Sequence, residues 1–181
     1  MLTTEKVKLT YEDYVKLPEN APYQLINGEL VMSPAPSIYH QRISRKILVK
    51  FDEYVEKNKL GEVFDAPIDI LLGETETFQP DLVFVSNENK SLIKVANIEG
   101  TPDLIVEILS PSTAYYDLKH KKNIYELSGV KEYWIIDPME KTVEIFFNEN
   151  KKYTLIGNYS KTETCKSKLL TGFEISLTEI F

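Results

Sequence analysis

The chain has little of three things that mark common protein classes: cysteine, long apolar segments and net positive charge. Its single cysteine, Cys165, excludes an internal disulfide and a cysteine-based metal cage, and suits a reducing compartment. No segment approaches the roughly 18 to 20 apolar residues of a membrane-spanning helix. The N-terminal stretch MLTTEKVKLT has no long apolar core either, so we expect a cytoplasmic protein that does not enter membranes.

The scarcity of positive charge bears on nucleic-acid binding. A formal net charge of -7 argues against a general nucleic-acid coat protein, because lysine and arginine carry most phosphate binding. The segment 37–59 nevertheless holds six lysine or arginine residues against three acids, so local binding stays open. With 181 residues, 43% of them hydrophobic, and with no linker or repeat, the chain is expected to form one domain, residues 1–181.

Hydrophobic spacing predicts a mixed α/β order of elements. Asn27-Gly28 is a dipeptide typical of a hairpin turn, and GETETFQ (residues 73–79) reads as a polar turn. Helices are predicted at 11–17, 37–59 (ended by Gly61), 114–128 and 177–181. Strands are predicted at 23–26, 29–32, 62–64, 68–72, 81–85, 104–109, 132–136, 143–147 and 153–156. The C-terminal part is therefore rich in strands.

One acid stands inside a strand that otherwise reads as fully buried. Glu107 lies within TPDLIVEILSPST (residues 101–113), and an ionised carboxylate among apolar residues costs several kcal/mol unless something compensates it. A metal ion is one such compensator. The stretch QPDLVFV (residues 79–85) places Asp81 at the start of another apolar strand, so two strands each supply one acid.

The helix after Glu107 supplies a lysine. At 100° per residue, Lys121 falls on the apolar stripe of that helix, with Asp117 and Tyr125 on the same side. A strand that leads directly into a helix brings the helix back across the sheet, so Lys121 is expected near the two acids. The alternatives are a structural ion pair with Asp117 or an amino group that reaches past the core to solvent.

Two carboxylates and a lysine at one sheet edge suit metal-dependent phosphodiester hydrolysis. Aspartate and glutamate oxygens are ligands for Mg²⁺ or Mn²⁺ and leave positions open for water and a phosphate oxygen. Lys121 is then expected to orient or help deprotonate the attacking water and to stabilise charge on the phosphate.

Several segments together resemble a known family. INGELVMSPAPSIYHQRI, QPDLVFV, TPDLIVEILSPST, the spacing of Asp117, Lys121 and Tyr125, and GVKEYWIIDP are similar to the Uma-type family of "putative restriction endonucleases", within the PD-(D/E)XK nuclease superfamily. The resemblance covers about residues 11–138. It implies a restriction-endonuclease-like fold, a mixed central sheet flanked by helices, and divalent-metal-dependent cleavage of DNA.

The resemblance also assigns residues. Asp81 matches the superfamily's strand aspartate, and Glu107 matches the acid of the next motif. Leu109 stands where the superfamily has its lysine, two residues after that acid; in this family the lysine comes from the following helix, which implies Lys121. Glu29 and His40 match recurring family positions.

Glu29 is a fourth catalytic candidate, and His40, Asp69, Asp117 and Tyr125 are secondary site candidates; each has a structural alternative. Glu29 is otherwise an exposed strand residue beside a turn, and His40 a core histidine on an apolar helix face. Asp69 is a further acid or the polar face of a strand. Tyr125 is expected to pack above the site with its hydroxyl on Asp117 or Lys121. Asp117 is otherwise the structural ion-pair partner of Lys121.

The aromatic content of 11%, including Tyr133 and Trp134, exceeds what a small core readily hides. We therefore expect a homodimer, which would also place two active sites on opposite DNA strands. The leading interpretation is a Mg²⁺-dependent DNA endonuclease. Two alternatives stay open: a nuclease fold without turnover that binds nucleic acid or protein, and cleavage of RNA or branched DNA in place of duplex DNA.

Overall fold

The computed structural model describes residues 7–18, 21–110 and 116–181, and residues 116–118 by their backbone alone. Four α-helices are α1 (Tyr11–Tyr14), α2 (Ile38–Asn58), α3 (Lys122–Ser128) and α4 (Leu177–Ile180). A 3₁₀-helix spans Asn87–Leu92, and a π-helical turn, Tyr116–Lys121, leads directly into α3. In these described ranges no helix has both the length and the apolar character that crossing a membrane requires.

The described strands form three sheets, and two of these sheets contain both parallel and antiparallel pairs. The strands are β1 (Tyr23–Ile26), β2 (Glu29–Met32), β3 (Gly61–Asp65), β4 (Asp69–Gly73), β5 (Glu76–Phe78), β6 (Leu82–Ser86), β7 (Asn97–Glu99), β8 (Leu104–Ile108), β9 (Glu132–Asp137), β10 (Thr142–Glu149), β11 (Lys152–Ser160), β12 (Thr164–Lys166) and β13 (Glu174–Ser176). Six of them form the sheet β11-β10-β9-β8-β6-β3, five form β2-β1-β5-β4-β7, and β12 pairs with β13. In the six-stranded sheet β8 and β9 run parallel, and the other neighbours are antiparallel.

Helix α2 covers one face of the six-stranded sheet because its apolar residues recur at helical spacing. Its buried residues are His40, Ile43, Ile47, Phe51 and Val55. Spacing along the helix predicts Tyr54 on the same inward stripe, but Tyr54 is only half-buried, and its hydroxyl donates to the Thr171 carbonyl. The Ser37 hydroxyl caps the first turn, and the helix ends at Lys59 in the left-handed conformation, before the predicted Gly61.

The two faces of the sheet carry separate apolar cores. One core joins α2 to the sheet and contains Trp134, and the other contains Tyr125, Tyr133 and Phe146. Tyr133 and Trp134 are at most 1% exposed. The aromatic run therefore belongs to the interior of the chain, so it gives no support to the predicted homodimer.

Three local predictions differ from the structure, the first because strand pairing overrides local sequence preference. The predicted polar turn at 73–79 contains β5, which pairs with β4 and β1. Strands β7, β12 and β13 were not predicted because each spans only three residues. The predicted α-helix at 114–128 is a π-helical turn over Tyr116–Lys121 followed by α3, and its first two residues lie outside the described residues.

Candidate active site

Strand register brings the two predicted site acids to one place. In the antiparallel pair of β6 and β8, Leu82 lies opposite Val106. Asp81 precedes Leu82 and Glu107 follows Val106, so one further step of the same register sets Asp81 across from Glu107. Side chains at opposite positions of an antiparallel pair share a face of the sheet, with Cβ atoms about 5 Å apart.

Glu107 is buried and paired. It is 3% exposed, and its Oε1 accepts a hydrogen bond from the Lys121 Nζ at 2.9 Å and from the Tyr125 hydroxyl at 2.8 Å. Lys121 is itself 2% exposed, so the two charges compensate each other away from water. The Tyr125 hydroxyl was predicted to bind Asp117 or Lys121; it donates to Glu107, which also binds Lys121, and the side chain of Asp117 lies outside the described residues.

The π-helical turn explains how one carboxylate oxygen receives both groups. Lys121 is the last residue of the wider turn, and Tyr125 lies one α-helical turn later in α3. Residues four apart on an α-helix lie on one side. The Tyr125 ring packs edge-on against Phe78 and Tyr133, which leaves its hydroxyl directed at β8.

Asp81 is held by the backbone beside Glu107. Its Oδ2 accepts the Ile108 N–H at 2.7 Å, and its Oδ1 lies 3.3 Å from the His40 Nε2. That nitrogen also lies 3.1 Å from the Ile108 carbonyl oxygen. Because both neighbours of Nε2 are acceptors, Nε2 carries a proton. His40 therefore connects α2 to the site and orients the Asp81 carboxylate.

The acids line a cavity of about 980 Å³. Its walls come from α1, the segment after β2, the start of α2 and the adjacent ends of β8 and the β9–β10 turn. Within the described lining, Lys121 is the one lysine or arginine, against the three acids Asp69, Asp81 and Glu107. The cavity wall is therefore acidic, apart from the buried lysine.

Asp69 lines the same cavity in a second polar group. Its Oδ1 accepts from the Gln79 Nε2 at 2.8 Å and lies 3.2 Å from the Tyr14 hydroxyl. Gln79 in turn donates its backbone N–H to the Gln24 Oε1. Burial and the nearby Asp69 carboxylate raise the pKa of Tyr14, so its hydroxyl stays a protonated donor.

One candidate from the sequence, Glu29, lies elsewhere. Glu29 lines a second cavity of about 500 Å³ together with Lys119 and His120, and is absent from the described lining of the larger one. The side chain of Asp117 lies outside the described residues. Leu109, at the position where the superfamily has a lysine, lines the large cavity, and the lysine on Glu107 comes from the following helix.

Sequence reasoning missed Gln24, Gln79 and Tyr14 as residues of the cavity. Gln79 had a usable signal, since it stands inside the segment QPDLVFV, immediately before Pro80-Asp81. Gln24 and Tyr14 had none, because they belong to the five-stranded sheet and α1, which meet the site only in the folded chain.

The donor chemistry around Asp81 and Glu107 fits a hard cation. Two carboxylates and the Ile108 carbonyl supply oxygen donors, and Mg²⁺ binds through one or two carboxylates while keeping waters and substrate oxygens. Over residues 7–18, 21–110 and 116–181, no cluster of three or more His, Cys, Asp or Glu is arranged as a metal cage. Any ion here would thus depend on water and substrate for its remaining ligands.

Comparisons with known proteins give a family and a fold. The Uma2 family model, described as "Putative restriction endonuclease", matches residues 11–178. An uncharacterized protein of Synechocystis sp. (strain ATCC 27184 / PCC 6803 / Kazusa) is 27% identical over 152 residues, which cover 80% of this chain and 82% of that one.

A solved structure matches at the level of fold. It is the crystal structure of a "putative nuclease" belonging to DUF820 from Anabaena variabilis ATCC 29413, with a TM-score of 0.77 and 20% identity. The match covers 96% of this chain and 97% of that one. The predicted fold class, a restriction-endonuclease-like α/β fold with a mixed sheet, is confirmed.

Proposed function

The chain belongs to the Uma2 family of "putative restriction endonucleases", and from that premise we propose that it is a divalent-metal-dependent endonuclease that hydrolyses phosphodiester bonds in DNA. One observation carries the proposal: the buried Glu107, bound by Lys121, shares a cavity with Asp81 from the neighbouring strand. A fold alone can serve many functions, so the site must supply the argument.

In this proposal Asp81, Glu107 and the Ile108 carbonyl hold Mg²⁺ or Mn²⁺. The bound ion would supply Lewis-acid stabilisation of the phosphate and a more acidic water. His40 holds the Asp81 carboxylate in place through Nε2. Tyr125 does the same for Glu107 through its hydroxyl. Both are positioning residues.

Lys121 has two parts in the proposed reaction. It compensates the Glu107 charge in the resting site, since the Lys121 Nζ lies 2.9 Å from the Glu107 Oε1. It also puts a cation beside the place where negative charge grows on the phosphate during attack, and orients the attacking water. The superfamily's lysine serves from the strand itself, whereas here the following helix delivers the amino group.

The proposal is tested by cleavage and metal titration with a matched control. Plasmid, linear duplex, branched DNA and RNA are incubated with Mg²⁺ or Mn²⁺, using wild type, Asp81→Asn, Glu107→Gln and Glu132→Gln. Glu132 is a buried acid in the adjacent parallel strand that does not line the described cavity. We expect Asp81→Asn and Glu107→Gln to lower the cleavage rate by more than about 100-fold. Loss of a residue that only hydrogen-bonds to a metal ligand costs about 10- to 100-fold, and loss of a ligand should cost more. Glu132→Gln should keep the wild-type rate per folded molecule.

Two results would contradict the proposal. One is that no substrate is cut by the wild type with either ion. The other is that Glu107→Gln cuts as fast as Glu132→Gln. Isothermal titration with Mn²⁺ checks the same residues without turnover, and binding should weaken in Asp81→Asn and Glu107→Gln alone.

A second candidate function is a binding module that keeps the fold but has lost turnover. The observation that favours it is that protein groups already engage Glu107 Oε1 and both oxygens of Asp81. Metal titration separates the two functions, because an inert module predicts no Mn²⁺ binding that depends on both acids.

The domain and assembly predictions remain part of the proposal. One domain over residues 1–181 predicts a single cooperative unfolding transition in urea. A homodimer predicts twice the chain mass by light scattering at micromolar concentration, and a monomer peak would reject it. The role of Glu29 also stays a prediction, to be tested by Glu29→Gln in the cleavage assay.

A further inference from the structure

We propose that the cavity receives an unpaired nucleotide of a DNA strand, with its base against an exposed apolar rim and its polar edge on Asp69 and Gln79. This inference rests on the nuclease function proposed above and narrows its substrate to strands with unpaired bases, such as single strands or flaps. Three features of the cavity support it: the burial of the reactive groups, the exposed apolar residues that line it and the hydrogen-bond pattern of its polar pair.

The reactive groups lie deep. Glu107 and Lys121 are 3% and 2% exposed, so a scissile phosphate must enter the cavity to reach them. A paired nucleotide brings its complementary strand with it, whereas an unpaired nucleotide can enter the cavity alone. Enzymes that act on buried nucleotides use single strands or flip the nucleotide out for this reason.

The rim suits stacking more than phosphate binding. Val15, Tyr39 and Met139 come from three separate segments, line the cavity and are 55%, 37% and 80% exposed. Exposed apolar residues gathered at a cavity mouth mark binding surfaces. The one lysine in the described lining, Lys121, is buried and paired with Glu107. The described wall therefore has no exposed cation for the phosphates of a duplex, which proteins bind mainly through lysine and arginine. Base stacking on aromatic side chains is how proteins hold single strands.

The polar pair presents acceptors. The Gln79 Nε2 donates to the Asp69 Oδ1, which fixes the amide because a carboxylate cannot donate. Among the described residues no group donates to the Gln79 Oε1 or the Asp69 Oδ2. These two acceptors belong to residues that line the cavity and match amino groups of bases, which adenine, cytosine and guanine have and thymine lacks.

Fluorescence anisotropy tests the proposal without requiring turnover. Labelled single-stranded oligonucleotides and a hairpin duplex of the same composition are titrated with the full chain in Ca²⁺, which offsets the acidic wall. We expect the single strand to bind at least about tenfold tighter than the duplex, and Tyr39→Ala to weaken it by about tenfold, as the loss of one stacked base would. Leu155→Ala is the control, since Leu155 is 47% exposed and lies on β11, away from the described lining.

The polar pair is tested with homopolymers. Wild type should bind oligo-dC more tightly than oligo-dT, and Asp69→Asn should remove that difference while oligo-dT affinity changes little. Circular dichroism melting confirms that each variant is folded. Rescue by Asp69→Glu, which restores a carboxylate, would support recognition by charge and acceptor chemistry.

The outcomes separate the two proposals. Equal or tighter binding of the duplex, or Tyr39→Ala and Leu155→Ala behaving alike, overturns the inference even if cleavage is found. Selective single-strand binding that needs Tyr39, without cleavage in Mg²⁺ or Mn²⁺, supports the inference and overturns the nuclease function. Absence of any DNA binding overturns both.

Discussion

Two Pro-Asp dipeptides precede neighbouring strands and end in different environments. Pro80-Asp81 precedes β6 and Pro102-Asp103 precedes β8. Because β6 and β8 run antiparallel, the two aspartates lie at opposite ends of the sheet. Asp103 is 1% exposed and both its oxygens are bound, by the Ser86 N–H, Asn89 and Lys131. Asp81 instead lines the large cavity.

The same contrast holds for the two buried glutamates of the parallel strands. Glu132, at the start of β9, accepts hydrogen bonds from the Trp134 indole and from the Lys168 and Leu169 N–H groups, all neutral donors. Glu107, near the end of β8, has a lysine and a tyrosine and lines the cavity. Burial alone therefore does not distinguish a structural acid from a candidate catalytic one. The partners and the access to a cavity do.

The largest expected effect comes from separating the Glu107–Lys121 pair. Lys121→Met leaves the glutamate buried without its cation and should destabilise the fold by about 3–5 kcal/mol. The double variant Lys121→Met/Glu107→Leu should recover much of that loss, because apolar replacements of a buried pair are often neutral. Urea unfolding at neutral pH measures both. Recovery of cleavage along with stability in the double variant would contradict the proposed roles.

Truncation of Glu132, the structural glutamate, should have a different effect from truncation at the Glu107–Lys121 pair. Glu132→Ala leaves the Trp134 indole and two backbone N–H groups without their acceptor, which should destabilise the fold by about 3 kcal/mol. Only proline lacks a backbone N–H, and two backbone donors are involved, so no single apolar replacement compensates Glu132→Ala as Glu107→Leu compensates Lys121→Met. If Glu132→Ala lowered the free energy of unfolding by less than about 1 kcal/mol, the value of one ordinary hydrogen bond, the structural role given to Glu132 would be contradicted.

Asp103 should contribute pH-dependent stability. Burial alone would raise its pKa, but Lys131, the Ser86 N–H and Asn89 outweigh burial and hold the pKa below its usual value. The contribution is therefore complete above the unfolded pKa of about 3.9 and is lost as the pH falls through the folded pKa. Asp103→Asn should cost about 1–3 kcal/mol at neutral pH. Urea midpoints should show the gap to wild type closing below about pH 4, and a constant gap would refute this origin.

The smallest expected effect is that of Tyr125→Phe. The ring keeps its packing against Phe78 and Tyr133, and one hydrogen bond to Glu107 is lost. We expect about 1 kcal/mol of stability to be lost. Cleavage should fall by about tenfold, because a hydrogen bond that positions a metal ligand is removed. Thermal melting and the plasmid assay give the two values, and an unchanged rate would remove Tyr125 from the site.

Much of the site was predictable because its signals are local. Glu107 was visible as a charge in an apolar strand, and Lys121 as a charge on an apolar helix stripe. The contact between Asp81 and His40 was not predictable from the sequence. Asp81 precedes β6, His40 lies on α2, and both bind the backbone of Ile108 on β8, so the three segments meet only in the folded chain. The same holds for Asp69 and Gln79, whose contact depends on β4 and β5 pairing across what reads as a polar turn.

By itself the sequence determined the long helix, most strands and the two acids, because periodicity and burial cost are properties of neighbouring residues. Which Pro-Asp pair lines a cavity, and that the Tyr125 hydroxyl joins Lys121 on Glu107, were decided only by tertiary structure. The physical reason is register. Direction and pairing of strands assign each carboxylate to one end and one face of the sheet, and that assignment depends on residues distant in the chain.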